Sequence, residues 1–472
     1  MHRRGTLNAC FLCAWMPIFG WAHEPLPNFV FILSDDQGWN GTSFPMDPHR
    51  LDSKSPYYET PCLAQLAREG MRFTRAYAPA ARCCPTRRSI QFGKSPARQG
   101  SQSGFLTSQQ LLPSTLTIPR VLKAVSNRYC TAHFGKWDLR CSLSPEDLGY
   151  DESDGNTGNR EGNLESNFNK TEKWQRYLLT DAPKRMFELA ARTKDFITRQ
   201  AAAERPFFVQ VSQYAVHADF HTRPQSYQHF SKKLPSDIHR NAAFAGMTAD
   251  LDAAVGEILD HLTDLNLQRR TYVIYMADNG AVPWIPPDRE KHLVNPNRLT
   301  TRSRNHPLRS GKWTLYEGGI RVPFLVRGPG VLPGSHTEVP IVGWDLLPTI
   351  ASIAGYRGPF PDDLDGGSFE ALLHRTADRV PRSFDAFVFH RYSGSYGHSA
   401  IIEGAHKLIR FWGENKGAKP SIEATIQLFN LKEDLGERHN LADQQPETCQ
   451  RLSAKLQRYL ETVDAEILRN RQ

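Results

Sequence analysis

The hydrophobic positions along the chain fall into two kinds of run. Residues 28–33 (NFVFIL), 206–212 (PFFVQVS) and 271–276 (TYVIYM) are short, almost unbroken apolar stretches rich in β-branched and aromatic side chains. Runs without polar alternation suit central parallel strands covered on both faces. Residues 71–77 and 128–134 add two further strand candidates. Between them the spacing turns helical over 63–70, 118–126 and 242–265, the last carrying Met247, Leu251, Val255, Ile258, Leu259 and Leu262 on one stripe. Alternating strands and helices of this kind predict an α/β fold: a large, mostly parallel central sheet flanked by helices. Residues 151–170, dense in Gly, Asn, Asp and Glu, read as a long surface loop. The turn-rich stretch 355–367 closes this first unit. Beyond it, 384–389, 399–403 and 407–411 read as short antiparallel strands and 446–469 as a terminal helix, a smaller C-terminal subdomain. The expected division is a signal segment at 1–22, a catalytic α/β domain at 23–375 and an α+β subdomain at 376–472.

Composition adds limits. A chain of 472 residues, 39% hydrophobic and 23% charged, fits a soluble enzyme of about two domains. No apolar run after residue 22 approaches the ~20 residues that cross a bilayer, so no stable membrane span is expected. At the N-terminus, His2, Arg3 and Arg4 precede an apolar stretch from Leu7 to Trp21. Gly20-Trp21-Ala22 then offers a small-x-small cleavage site. That pattern is an export signal and implies a periplasmic or secreted protein. The formal charge of +8 falls to +6 once Arg3 and Arg4 leave. The excess is scattered, which argues against nucleic acid as a partner and for a mild preference for anionic substrates. Six cysteines remain after residue 22: Cys62, Cys83, Cys84, Cys130, Cys141 and Cys449. Their spacing makes neither a disulfide framework nor a zinc site; Cys130 and Cys141 either pair or stay as two thiols.

Two acid-bearing turns follow strand candidates, Ser34-Asp35-Asp36-Gln37 and Ala277-Asp278-Asn279-Gly280. In parallel sheets, functional groups gather at the carboxyl ends of strands. Asp35, Asp36, Asp278 and Asn279 offer three carboxylates and an amide oxygen, hard ligands suited to calcium or magnesium. The same residue types also favour plain turns. A cation would relieve the repulsion among crowded acids.

The segment Cys83-Cys84-Pro85-Thr86-Arg87, with Gly93-Lys94 after it, resembles the signature of the type I sulfatases of the alkaline phosphatase superfamily. Further blocks follow the same order along the chain: residues 28–38, 60–74, Asp278-Asn279-Gly280, Gly311-Lys312, 317–323, 344–350 and 428–441. The resemblance implies that a formylglycine-generating enzyme oxidises Cys83 to Cα-formylglycine, the register with Pro85 and Arg87 selecting Cys83 over Cys84. It implies one Ca2+ held by Asp35, Asp36, Asp278, Asn279 and the modified Cys83. By the same resemblance, one hydroxyl of the hydrated aldehyde attacks sulfur and the other later expels sulfate. Arg87 would hold the hydrate and support a metal carboxylate. Lys136 and Lys312 would neutralise sulfate oxygens, and His217 would protonate the leaving alkoxide.

One position departs from the family pattern. Gly135-Lys136-Trp137-Asp138-Leu139-Arg140 carries Asp138 where the family has histidine. Asp138 is therefore a site residue acting either as a base on the hydrate or as a partner of Lys136, with His133, His221 and His306 as alternative imidazoles. The resemblance implies a sulfate-ester hydrolase whose substrate is a sulfated small molecule or saccharide. Its nearest rival is a phosphonate monoester or phosphodiester hydrolase of the same fold. A rival of another class is a catalytically dead carbohydrate-binding protein, against which the intact Cys-x-Pro-x-Arg core and acid turns argue. Trp284, His390, Arg391, Tyr392, Tyr396 and His398 are candidates for lining a sugar subsite.

Overall fold

The computed structural model describes residues 25–99, 115–162, 177–285, 303–391, 397–412 and 426–465. The proposed signal segment 1–22 lies outside them.

An eight-stranded sheet forms the centre, in the order Ser335–Thr337, Met71–Phe73, Phe324–Arg327, Thr271–Ala277, Asn28–Ser34, Phe207–Ser212, Cys130–Gly135 and Glu152–Ser153. All pairings are parallel except the two made by Phe324–Arg327. The mostly parallel α/β architecture expected from the apolar runs is therefore present. Every residue of Asn28–Ser34, Phe207–Ser212 and Thr271–Ala277 is buried. Separate apolar clusters cover the two faces, with Val30 and Ile32 in one and Phe29, Phe31 and Leu33 in the other. Both faces being dry explains why these strands show no polar alternation.

The helix Ala242–Asp264 buries its whole expected stripe on one face of the sheet. Asn241 caps it, its side chain accepting from the Phe244 amide at 2.8 Å. The candidate at 63–70 starts earlier, as Pro61–Glu69, because Pro61 fits the first helical turn. The expected strand at 71–77 divides into Met71–Phe73 and Ala76–Tyr77. The terminal helix runs from Pro446 to Thr462, shorter than the pattern suggested. The surface-loop reading of 151–170 needs correction over its described part. Glu152–Ser153 pairs with the sheet edge beside Ala132 and His133, and residues 163–170 lie outside the described residues.

A four-stranded antiparallel sheet, Phe387–Arg391, His398–Glu403, His406–Phe411 and Ile426–Asn430, forms the C-terminal part with the helix Pro446–Thr462 against it. Its other face shares an apolar cluster with Leu315, Tyr316 and Ile320. Within that junction Lys407 is fully buried, 3.0 Å from Glu317 and 2.8 Å from Glu437. His398 Nε2 accepts from the Leu315 amide at 3.0 Å. The small sheet thus braces the segment that carries Lys312. Cys130 and Cys141 are separate thiols.

Candidate active site

Four neighbouring parallel strands end along one edge of the central sheet, and each delivers site residues just past its end. Asn28–Ser34 leads into Asp35 and Asp36, Thr271–Ala277 into Asp278 and Asn279, Cys130–Gly135 into Lys136, and Phe207–Ser212 into the turn bearing His217. The strand ends are tied to one another: the Asp278 amide donates to Ser34 O at 2.9 Å and the Lys136 amide to Ser212 O at 2.8 Å. Asp36 adopts a positive φ of 56°, and its amide donates to Asp278 Oδ1 at 3.1 Å.

Facing this edge is the helix Cys83–Phe92, all ten residues of which are buried. Cys83 opens it, and Gly93 ends it at φ 64° with its amide on Ser89 O. That left-handed C-terminal position suits glycine, which has no Cβ to clash. The sulfur of Cys83 lies 3.4 Å from Asp35 Oδ1 and 3.5 Å from Lys312 Nζ. Ligand atoms of Asp35, Asp36, Cys83 and Asp278 all fall within 4.8 Å of one another, and all four residues are buried.

Three cations balance the acids. Arg87, one turn along the helix from Cys83, reaches Asp278 Oδ2 through Nε at 3.0 Å and Nη2 at 2.8 Å. Lys136 Nζ donates to Asp35 Oδ2. Lys312 Nζ sits 2.6 Å from Asp36 Oδ1 and 2.7 Å from Oδ2. Burial opposes the charge on Asp35, but Lys136, His217, Arg87 and Lys312 outweigh it and hold that carboxyl well below its usual range. Burial and the Asp35 charge push Asp36 up despite Lys312, and push Asp278 up to about 6 against Arg87. Burial, reinforced by Asp278 and Asp35, raises the Cys83 thiol far above its ordinary value. Burial works against the charge on Lys136 and Lys312, yet Asp35 and Asp36 respectively keep both firmly protonated.

His217 donates from Nδ1 to Ala218 O at 2.5 Å, which leaves Nε2 facing the site, 3.8 Å from Asp36 Oδ2. Burial, and then Lys312, push this imidazole well below its ordinary value. Asn279 donates through Nδ2 to Asp36 Oδ1 at 2.7 Å. Its Oδ1 is buried without a hydrogen-bond partner. An orphaned carbonyl oxygen beside three buried carboxylates is the donor set a hard divalent cation needs.

Asp138 stands at the rim, 9% exposed and at φ 45°. Its carboxylate meets Lys136 at 3.6 Å and Arg140 at 3.4 Å. His133 is buried against Trp137 and bonded to Ser212. His221 is buried too, and His306 is half-buried; among the described residues neither is bonded to Cys83. His390 is buried and bonded to Ser399 within the small sheet, and His398 is buried and bonded to the Leu315 amide, so neither lines an open subsite. Tyr392 and Tyr396 lie outside the described residues.

Two contributions went unread in the sequence. Thr157 pins the Lys136 turn: its Oγ1 accepts from the Trp137 amide at 3.0 Å and its carbonyl accepts from the Asp138 amide at 2.8 Å. No motif marks such a residue in a polar loop. Gly280 lets two loops touch, since a Cβ there would lie 1.9 Å from Gly318 O. The paired signal was visible in Asp278-Asn279-Gly280 and Glu317-Gly318-Gly319, whose glycines permit this close approach.

Comparison with known proteins identifies the family. The model of the family described as sulfatase matches residues 27–356, and a model described as N-sulphoglucosamine sulphohydrolase, C-terminal, matches 310–466. The chain belongs to the sulfatase family, enzymes that hydrolyse sulfate esters. It is 29% identical to human arylsulfatase A over 490 residues, covering 93% of this chain and 89% of that protein. It is 28% identical to the N-acetylgalactosamine-6-sulfatase of Canis lupus familiaris, covering 72% and 64%. Solved structures share the fold. The structure titled Ps i-CgsB has a TM-score of 0.71 at 22% identity, with 92% and 93% coverage. A phosphonate monoester hydrolase from Silicibacter pomeroyi has 0.61 at 17% identity, with 94% and 96% coverage.

Proposed function

We propose that this chain is an exported sulfatase acting on sulfated carbohydrates, with Cys83 oxidised to formylglycine by a maturation enzyme and one Ca2+ at Asp35, Asp36, Asp278 and Asn279. The observation that carries this reading is the meeting of Cys83 with three buried carboxylates and two buried lysines at one point. Four carboxylates, counting Asp138, face four cations there, counting its partner Arg140. A divalent ion would make the pocket net positive and favour the anionic ester. When bound, that ion supplies Lewis-acid stabilisation of charge on oxygen.

The protein's own side chains take distinct parts. Arg87 fixes Asp278 by donating from two nitrogens to its Oδ2, which orients the carboxylate. Lys136 and Lys312, charged and dehydrated, take up the negative charge that grows on sulfate oxygens as the ester bond breaks. His217 holds its Nδ1 hydrogen on Ala218 O, so its neutral ring presents a bare Nε2 to the site; it acts on the departing alcohol oxygen as general acid once Nε2 has taken up a proton. Asp138 orients Lys136 from the rim. The name of one relative, N-acetylgalactosamine-6-sulfatase, and the N-sulphoglucosamine family description support a saccharide substrate. The apolar stretch at residues 7–21 supports export.

The test is the mass of the peptide containing residue 83 from protein made together with a formylglycine-generating enzyme. An aldehyde at 83 is expected; an unchanged thiol at 83 with modification at Cys84 would overturn the register. Turnover of phosphonate monoesters in place of sulfate esters would move the chain to the rival activity.

A further inference from the structure

Residues Gly311–Thr314 form a tight turn. The Thr314 amide donates to Gly311 O at 3.1 Å and its Oγ1 to the same oxygen at 2.8 Å. Lys312 and Trp313 are the two central residues. Trp313 has φ 76°, a conformation that at the third position of a turn is ordinarily supplied by glycine or asparagine. A bulky residue held there is strained, and such strain persists where the surroundings impose it and function uses it. The backbone is held firmly: the Trp313 amide donates to Ala81 O, two residues before Cys83, at 2.9 Å.

The side chain gives the strain a purpose. Trp313 is 39% exposed, the one tryptophan among the exposed large apolar residues described. Lys312 Nζ lies over its indole, 5.6 Å from the ring centroid, and that same ammonium is 3.5 Å from Cys83 Sγ. Among the described residues no aromatic ring stacks on the indole. A solvent-facing aromatic surface therefore stands directly beside the cation expected to grip the sulfate.

Resting on the sulfatase reading above, we propose that Trp313 is the specificity-determining platform on which the six-membered ring bearing the sulfate stacks. A pyranose offers its C–H face to an indole, and an aryl ring its π-face. Either would lie where its sulfate reaches Lys312. A short acyclic alkyl sulfate presents no such face.

The experiment uses mature, calcium-loaded enzyme and three esters: a 6-sulfated N-acetylhexosamine, 4-nitrophenyl sulfate and propyl sulfate. Trp313→Gly installs the residue the turn prefers, so its melting temperature should not fall. Its kcat/KM for the ring esters, divided by that for propyl sulfate, should drop by about 10-fold, chiefly through KM. Trp313→Phe should restore part of the ratio. The ring ester that suffers more identifies the source, sugar or aryl. An unchanged ratio with sulfate release intact would overturn the platform and leave the sulfatase reading standing. If wild type releases sulfate from none of the three, the hydrolytic reading falls. The platform is then read by calorimetric binding of the two ring sulfates. About 10-fold weaker binding in Trp313→Gly upholds it, and equal or absent binding overturns it.

Discussion

Lys312 shows what a single side chain contributes at this site. It is buried, yet the carboxylate of Asp36 at 2.6 Å keeps it charged. Lys312→Ala should lower kcat by about 10²–10³-fold, the scale of losing one preorganised charge donor; a change under about 3-fold would remove it from the machinery. Asp138 invites a milder expectation. Its carboxylate meets Lys136 and Arg140, so Asp138→Asn should cost about 10-fold or less in kcat, with no burst of alcohol product in stopped-flow traces. A burst followed by slow turnover would make Asp138 the base that acts on the modified Cys83. Most of these residues were legible in the sequence, because Cys83, Arg87 and the acid turns sit in dense, spaced motifs. Thr157 was not, since a threonine in a polar loop carries no signal until the Lys136 turn folds against it. Trp313 was likewise silent: nothing in a sequence announces a positive φ.

At the scale of elements, the site depends on loops that touch through glycine and on helices fixed at their ends. Gly280→Ala would set a methyl against Gly318 O at 1.9 Å. Thermal melts should show a loss of roughly 1–3 kcal/mol, with activity falling alongside as the Asp278 and Lys312 loops part. A second case is Asp252, nine-tenths or more buried in the long helix, whose carboxylate accepts from the Cys62 and Leu63 amides at 2.9 and 2.8 Å. Burial pushes this acid up to about 6, above its ordinary 3.8, against those two bonds. Because the folded value is the higher one, the stability it lends is present below about pH 4 and is lost as pH rises through about 6. Asp252→Asn should therefore gain on wild type in melting temperature between pH 4 and pH 7. A difference that stays flat across that range would contradict it. The strands and the 242–264 helix were readable from their apolar spacing. The helix Met186–Ala202 went unread although Met186, Leu189, Ala190, Phe196 and Ile197 keep helical spacing; the division at residues 71–77 gives periodicity too few residues to hold.

Across the whole molecule, two parts converge on one pocket. The parallel sheet supplies acids, histidine and Lys136 from four strand ends, and the small antiparallel sheet braces Lys312 through Lys407 and His398. That brace could not be read from the chain: Glu317 and Glu437 stand in blocks of the family resemblance, but Lys407 and His398 belong to no such block, and Lys407 lies 90 residues from Glu317. Among the described residues no helix is long and apolar enough to cross a membrane. With three crowded acids and an orphaned amide oxygen at its heart, the folded protein should bind Ca2+ in preference to the unfolded chain. Exhaustive chelation should then lower the melting temperature, and added calcium restore it; indifference to both would rule out the metal at Asp35, Asp36 and Asp278. The most direct test of the account is sulfate release from a sulfated N-acetylhexosamine, followed by ion chromatography. It should be run on wild type, Cys83→Ala and Cys84→Ala, all made with the maturation enzyme. Steady sulfate release by wild type and Cys84→Ala and none by Cys83→Ala is the expected result; release undiminished in Cys83→Ala would contradict formylglycine chemistry at residue 83.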